Sequence, residues 1–288
     1  MIMKKYIRLL RIPHYLKNLL ILLPFICGKE LFNFSLWLKI IPGFFAFCLI
    51  SSAIYIINDI KDIERDRNHP TKCRRPLPSG EVRASAAAVL AGLLALCAIA
   101  LHLLTRSHPG AGVILAAYFL LNIGYSLGLK NVPILDICLL VSGFLLRVFY
   151  GAAITSIAIS NWMYLTVMML SFYLGLGKRR NELIKTGNDS TRGVLRFYNK
   201  EFLDKFMYMC LTTSIVFYSL WCVDTATVQN SGNKLIFTIP FAIALCMKYS
   251  LNIEGDSDGD PVNVILTDKL LLLFGALFAA AFLLLIYL

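Results

Sequence analysis

The chain has 288 residues, 58% of them hydrophobic and only 16% charged, with a mean hydropathy of +0.70. Soluble domains run nearer half apolar, with about a quarter of residues charged, so this balance excludes an ordinary water-soluble core. The formal charge of +11 does not point to nucleic acid, because the basic residues are bunched in short segments between long apolar runs.

A membrane-spanning helix needs ~20 mostly apolar residues. Nine such stretches follow one another, at about 18–36, 38–57, 84–104, 110–129, 132–152, 160–177, 206–223, 235–252 and 268–288. They are continuous and do not alternate, which argues against transmembrane strands. The expected fold is therefore all-α, a polytopic bundle of about nine helices forming one membrane domain over 1–288. The N-terminus carries Lys4, Lys5, Arg8 and Arg11 but no short apolar core ending in a small-residue cleavage site, so no secretory signal peptide is expected. Eight scattered cysteines form no CxxC pair and read as small apolar filler.

With nine spans, 23 of the 28 Lys and Arg fall on the side that holds the N-terminus and every second loop. Excess Lys and Arg marks the cytoplasmic face. The expectation is a multi-pass protein of the cytoplasmic membrane, with its N-terminus inside and its C-terminus outside. The sequence gives no stoichiometry, and a homo-oligomer stays open.

Most acids share that basic side. The second span ends in Asn58-Asp59-Ile60-Lys61-Asp62-Ile63-Glu64-Arg65-Asp66. If the helix continues, Asp59, Asp62 and Asp66 lie within a ~60° arc, with Asn58 at its edge. Like charges at helical spacing destabilise a helix, and Mg²⁺, a hard cation that shares oxygen ligands with phosphates, is the natural compensation. The expected metal ligands are Asn58, Asp59, Asp62 and Asp66. The loop that follows holds Lys72, Arg74 and Arg75 between Pro70, Pro76 and Pro78, which exclude a continuous helix. Cations beside a metal suit a diphosphate, with Arg75 as a bidentate fork and Lys72 as a point charge.

The pattern NDxxDxxxD followed by Arg75-Pro76-Leu77-Pro78-Ser79-Gly80 resembles the first acidic motif of the UbiA superfamily of intramembrane prenyltransferases. The resemblance implies a Mg²⁺-dependent transferase and covers nearly the whole chain. One departure matters. That superfamily's second acidic cluster, in the loop after span six, is replaced by Lys178-Arg179-Arg180-Asn181-Glu182, and Glu182 is the only acid between Asn161 and Asn188.

Arg11-Ile12-Pro13-His14-Tyr15-Leu16-Lys17-Asn18, His69-Pro70-Thr71-Lys72, Tyr125 with Lys130, and Lys178-Arg179 are similar to one branch, the decaprenyl-phosphate phosphoribosyltransferases. The branch implies transfer of 5-phosphoribose from phosphoribosyl diphosphate to a polyprenyl phosphate, for cell-envelope polymers. Lys178, Arg179 and Arg180 would then serve the donor's 5-phosphate, with Glu182 beside them. Lys17, Asn18, Tyr125, Lys130, Asp136 and Arg147 complete the expected substrate-binding set.

Asp136 and Arg147 fall on one face of span five, with Gly143 between them. Intramembrane charges are costly and mark functional cavities by default. Arg147 is open to the lipid phosphate, the ribose phosphate or a structural acid. A polyprenyl phosphate is already ionised, so no general base is required of His14 or His69, whereas a phenolic acceptor of pKa near 10 would benefit from one. The alternatives are a prenyltransferase using a prenyl diphosphate and an aromatic acceptor, or a transporter. The stretch Glu254–Pro261 imitates a calcium loop without its terminal Glu. It reads as a solvated loop, or as a lid over the donor pocket.

Overall fold

A computed structural model describes residues 2–68, 72–186 and 193–288, and among these there are helices and turns but no strand. His69, Pro70 and Thr71 of the His69–Lys72 motif lie outside the described residues. Among the described residues seven helices are long and apolar enough to cross a bilayer. They are α3 (Phe34–Lys61), α5 (Ala84–Leu104), α6 (Pro109–Leu127), α7 (Leu135–Thr155), α9 (Lys200–Val223), the segment Lys234–Glu254 containing α11 (Ile239–Glu254), and α13 (Lys269–Tyr287). The protein is thus a multi-pass integral membrane protein.

Two of the nine expected spans take another form. The first is not one helix over 18–36. A 3₁₀ run, Ile12–Leu22, leads into the short α2 (Leu23–Cys27), and the chain turns before α3. Pro13, Pro24 and Gly28 interrupt a regular α-helix there. The sixth continues past residue 177. Helix α8 runs Asn161–Thr186, so Lys178, Arg179, Arg180 and Glu182 stand on a helix and not in a loop. Arg, Asn, Glu, Leu and Lys carry no helix-breaking demand, and Arg179 pairs with Glu182 one turn on. Helix α8 is not among the seven.

The chain forms two compact units. The first comprises Met1–Phe25, Asn33–Leu139 and Leu146–Ile157. At its centre α3 packs against the 3₁₀ run, α5, α6 and the N-terminal helix α1 (Ile2–Leu10). Gly151 in α7 meets the 3₁₀ run at its backbone, and a Cβ there would lie 2.0 Å from the Ile21 carbonyl oxygen. Backbone cannot step aside as a side-chain end can. Gly151→Ala is therefore expected to cost roughly 3 kcal/mol, read as a lowered unfolding temperature in detergent; an unchanged transition would remove this contact from the account.

The second unit comprises Ile26–Phe32, Leu140–Leu145 and Ala158–Leu288. Within it α8 pairs with α9, and α11 packs on α13. Outward positions of the long helices are apolar, including Leu93 and Leu96 on α5 and Leu273 and Leu284 on α13. Such belts suit hydrocarbon.

Candidate active site

The acidic stripe forms, but on a broken helix. Helix α3 ends at Lys61, Asp62 leaves helical geometry (φ −99, ψ 8), and α4 (Ile63–Arg67) restarts beyond it. Two backbone bonds bridge the break, Asp62 N to Asn58 O at 3.0 Å and Asp66 N to Asp62 O at 2.8 Å. Asp59, Asp62 and Asp66 are 2%, 7% and 1% exposed. Carboxylates this buried must be compensated.

Each of them is. The Arg11 guanidinium donates to Asp59 Oδ1. Arg75 Nη1 donates to Asp59 Oδ1 at 3.2 Å and to Asp66 Oδ2 at 2.7 Å. Lys130 Nζ reaches both oxygens of Asp62, at 2.7 and 2.8 Å, and Arg65 adds a bond to Asp62 Oδ2 at 2.5 Å. Asn58 Oδ1 accepts from Ser126 Oγ at 3.1 Å. Burial, and next the nearby Arg11, lower the basicity of Arg75, while Asp59 and Asp66 act in the opposite direction.

The expected set Asn58, Asp59, Asp62 and Asp66 is thus not gathered around one point. Among the described residues no three acidic or imidazole groups stand close enough to hold a metal ion. The kink at Asp62 is the reason: it turns that carboxylate to Lys130, while Asp59 and Asp66 converge on one nitrogen of Arg75. That nitrogen is a cation held between two carboxylate oxygens, and hard oxygen donors converging on a cation fit Mg²⁺ once the guanidinium moves aside. Lys130, expected to bind substrate, is occupied by Asp62. Lys72 opens the 3₁₀ turn Lys72–Arg74, and its carbonyl accepts from Arg75 N at 3.0 Å.

A second polar group lies along the same face of α3. Ser51, Tyr55 and Asp59 are spaced four apart, so Ser51 stands about 12 Å from Asp59 along the axis. Ser51 Oγ meets Tyr118 OH at 3.2 Å. Arg147 donates from Nη2 to that hydroxyl at 2.8 Å and from Nε to Asn18 Oδ1 at 2.7 Å. Its guanidinium also lies over the rings of Phe47 and Tyr118. Asn18 and Arg147, expected as partners of a phosphate, are therefore together and both buried. Lys17 and Tyr125 are half-buried on the 3₁₀ run and on α6, and Asp136 is fully buried in the first turn of α7.

In the second unit the basic segment is matched by acids. Lys178 Nζ pairs with Asp260 Oδ2 at 2.7 Å, Arg179 Nη1 with Glu182 Oε2 at 2.8 Å, and Arg180 Nε with Asp204. Asn181 Nδ2 donates to Ile253 O at 2.8 Å and Ser257 Oγ at 2.9 Å. The stretch after α11 is thus tied to α8 through Ser257, Gly259 and Asp260, while Glu254, Asp256 and Asp258 stay exposed. Gly259, at φ +71, approaches so closely that a Cβ would lie 3.0 Å from Lys178 Cα. Sequence reasoning passed over Asp204, Ser126 and Tyr118, which lie in otherwise ordinary helices. It read Arg11 for topology and resemblance alone, though its place in the Arg11–Asn18 motif was available as a signal.

The family model for the UbiA prenyltransferase family matches residues 22–261. The chain belongs to that family. Two curated relatives are each called decaprenyl-phosphate phosphoribosyltransferase. The Mycolicibacterium smegmatis protein is 32% identical over 280 residues, covering 92% of this chain and 87% of that one. The Corynebacterium glutamicum protein is 32% identical over 272 residues, covering 92% and 81%. A UbiA homolog from Archaeoglobus fulgidus, solved bound to GPP and Mg²⁺, has the same fold, with a TM-score of 0.72, 19% identity and coverage of 99% and 100%. This UbiA-family protein is a membrane-embedded transferase.

Proposed function

We propose that this transferase moves 5-phosphoribose from phosphoribosyl diphosphate to a polyprenyl phosphate, releasing pyrophosphate, and so makes a lipid-linked sugar for cell-envelope polymers. The observation that carries the reading is the likeness to the two phosphoribosyltransferases over 92% of the chain. The replacement of a second acidic cluster by Lys178, Arg179 and Arg180 supports it. A donor phosphorylated at both ends needs carboxylates and metal at one end and cations at the other.

In this reading Asp59 and Asp66, which already converge on one cation, would hold Mg²⁺ with Asn58 and Asp62 close by, and the metal would supply charge neutralisation on the diphosphate. Lys72 and Arg75 stabilise charge on the departing pyrophosphate. The bond from the anomeric carbon to the diphosphate oxygen breaks, and a bond to an oxygen of the lipid phosphate forms. The acceptor is already ionised, so no residue has to remove a proton. Lys17, Asn18 and Arg147 bind a phosphate at the cavity mouth, flanked by Tyr125, Lys130 and Asp136. Lys178, Arg179 and Arg180 take the 5-phosphate by exchanging partners with Asp260, Glu182 and Asp204. The active site opens to the cytoplasm, where the water-soluble donor is found, and the polyprenyl tail stays in lipid.

Purified protein given labelled phosphoribosyl diphosphate, a polyprenyl phosphate and Mg²⁺ is expected to yield a lipid-extractable ribose product. No labelled lipid at any Mg²⁺ concentration, together with product from a prenyl diphosphate and a phenolic acceptor, overturns the donor assignment.

A further inference from the structure

Among the described residues, four cationic side chains, Arg11, Arg65, Arg75 and Lys130, contact the three carboxylates Asp59, Asp62 and Asp66. The cluster therefore carries one positive charge in excess. A divalent cation added alone would raise that to three in a largely desolvated place, where like charges repel strongly. A diphosphate brings three to four negative charges and returns the total to near zero. The stoichiometry suits metal and diphosphate together and opposes the free metal.

The cations differ in how they are held. Arg75 spans two carboxylates from a loop braced by Pro76 and Pro78, and Lys130 and Arg65 share Asp62. Among the described acids Arg11 contacts Asp59 alone, and it rests on the Tyr55 ring at 5.0 Å. It sits between α1 and the 3₁₀ run in left-handed geometry (φ 51, ψ 47), which a non-glycine residue adopts only when its surroundings impose it. Helix α1 is fastened to the Arg75 loop. Arg8 donates to Arg74 O at 2.6 Å, Lys5 to Glu81 O at 3.0 Å, and Leu9 is buried with Leu77 and Val82. Arg11 and Arg75 thus reach the same oxygen of Asp59 from two tethered segments, and Arg11 is the one with no second carboxylate to keep it there.

We propose that Arg11 is a donor-binding residue that competes with the metal for Asp59 and places its guanidinium on the diphosphate when Asp59 becomes a ligand. It makes free-metal binding weak and couples metal entry to the donor. This rests on the metal–diphosphate reading of the stripe and not on which group the donor transfers.

The test uses the full chain in detergent, with Mn²⁺ as the metal, followed by the paramagnetic signal of its free form, and inorganic pyrophosphate as the anion. The native protein is expected to bind Mn²⁺ weakly alone and at least about tenfold more tightly with pyrophosphate. Arg11→Gln is expected to move the two affinities in opposite directions. Mn²⁺ alone binds about threefold or more tightly, because one competing cation is gone. Pyrophosphate binding weakens roughly 10- to 100-fold, as for loss of a charged hydrogen bond. Arg11→Lys, which keeps the charge and loses the fork, is expected to bind Mn²⁺ alone like the native protein and pyrophosphate less well; it decides the matter if the glutamine variant does not fold. Equal Mn²⁺ affinity with and without pyrophosphate in the native protein overturns the proposal. So does a variant in which both affinities fall together or pyrophosphate binding is unchanged, since a structural ion pair would behave that way. Pyrophosphate leaves from either donor class, so failure of the phosphoribosyl assay leaves this result standing.

Discussion

Asp59→Asn and Asp62→Asn are both expected to lower turnover by about 1,000-fold or more, but to differ sharply in stability. On the proposed reaction these carboxylates hold metal and diphosphate, and loss of one removes transition-state stabilisation of several kcal/mol. The stability contrast follows from the partners. Asp59 is shared by Arg11 and Arg75, whose side chains are 18% and 32% exposed, and Arg75 keeps Asp66 when Asp59 is neutralised. Water and the remaining carboxylate absorb most of the change, so Asp59→Asn is expected to cost only about 1 kcal/mol. Asp62 faces Lys130, whose side chain is 6% exposed. Stranding a buried ammonium costs about 3–5 kcal/mol, whereas replacing both partners by neutral groups of similar size is often harmless. Asp62→Asn combined with Lys130→Met should therefore recover the unfolding temperature without recovering activity. Activity retained in Asp59→Asn, or regained in the double variant, removes the stripe from the chemistry.

The stripe was legible because composition and spacing carry it: three carboxylates at near-helical intervals after an apolar run, then a proline-bounded basic loop. Its detailed shape was not. Spacing assumes a continuous helix, whereas Asp62 stands in non-helical geometry with Lys130, 68 residues away, on both its oxygens. No local pattern announces a partner that distant. The helix count suffers from the reverse problem. Hydropathy locates apolar length, so it ended the sixth span at residue 177, where charges begin. Helix α8 continues because Arg179–Glu182, Arg180–Asp204 and Lys178–Asp260 neutralise those charges. Two of these three acids come from other segments. The same long-range pairing turned a stretch that reads as a solvated acidic loop into one clamped by Asn181. Periodicity did place Arg147 on the interior side of α7, yet Asn18, Tyr118 and Phe47 became its neighbours only through the fold.

Arg147→Met is the second substitution with a large expected effect, a loss of roughly 100-fold in kcat/KM. Its contacts include two neutral oxygens, Asn18 Oδ1 and Tyr118 OH, and the faces of two aromatic rings. Such contacts orient a guanidinium, and a charged side chain at membrane depth marks a functional position by default. Methionine fills much of the same volume. Tyr118 keeps Ser51 and Asn18 Nδ2 keeps its bond to Cys48 Sγ, so the main local cost is the donor lost to Asn18 Oδ1. Stability is accordingly expected to shift by no more than about 2 kcal/mol. The kinetic loss should fall on one substrate. A phosphate held in the ground state and the transition state alike raises KM with kcat nearly unchanged. On the proposed reaction the polyprenyl phosphate, whose headgroup would enter from the membrane, is the substrate whose KM should rise. Arg147→Lys keeps the charge without the fork and should lie between the two. A variant that unfolds early but turns over normally when cold would make Arg147 a structural tie between α7, α6 and the 3₁₀ run. A rise in KM for the donor alone would assign its charge to the phosphoribosyl group instead.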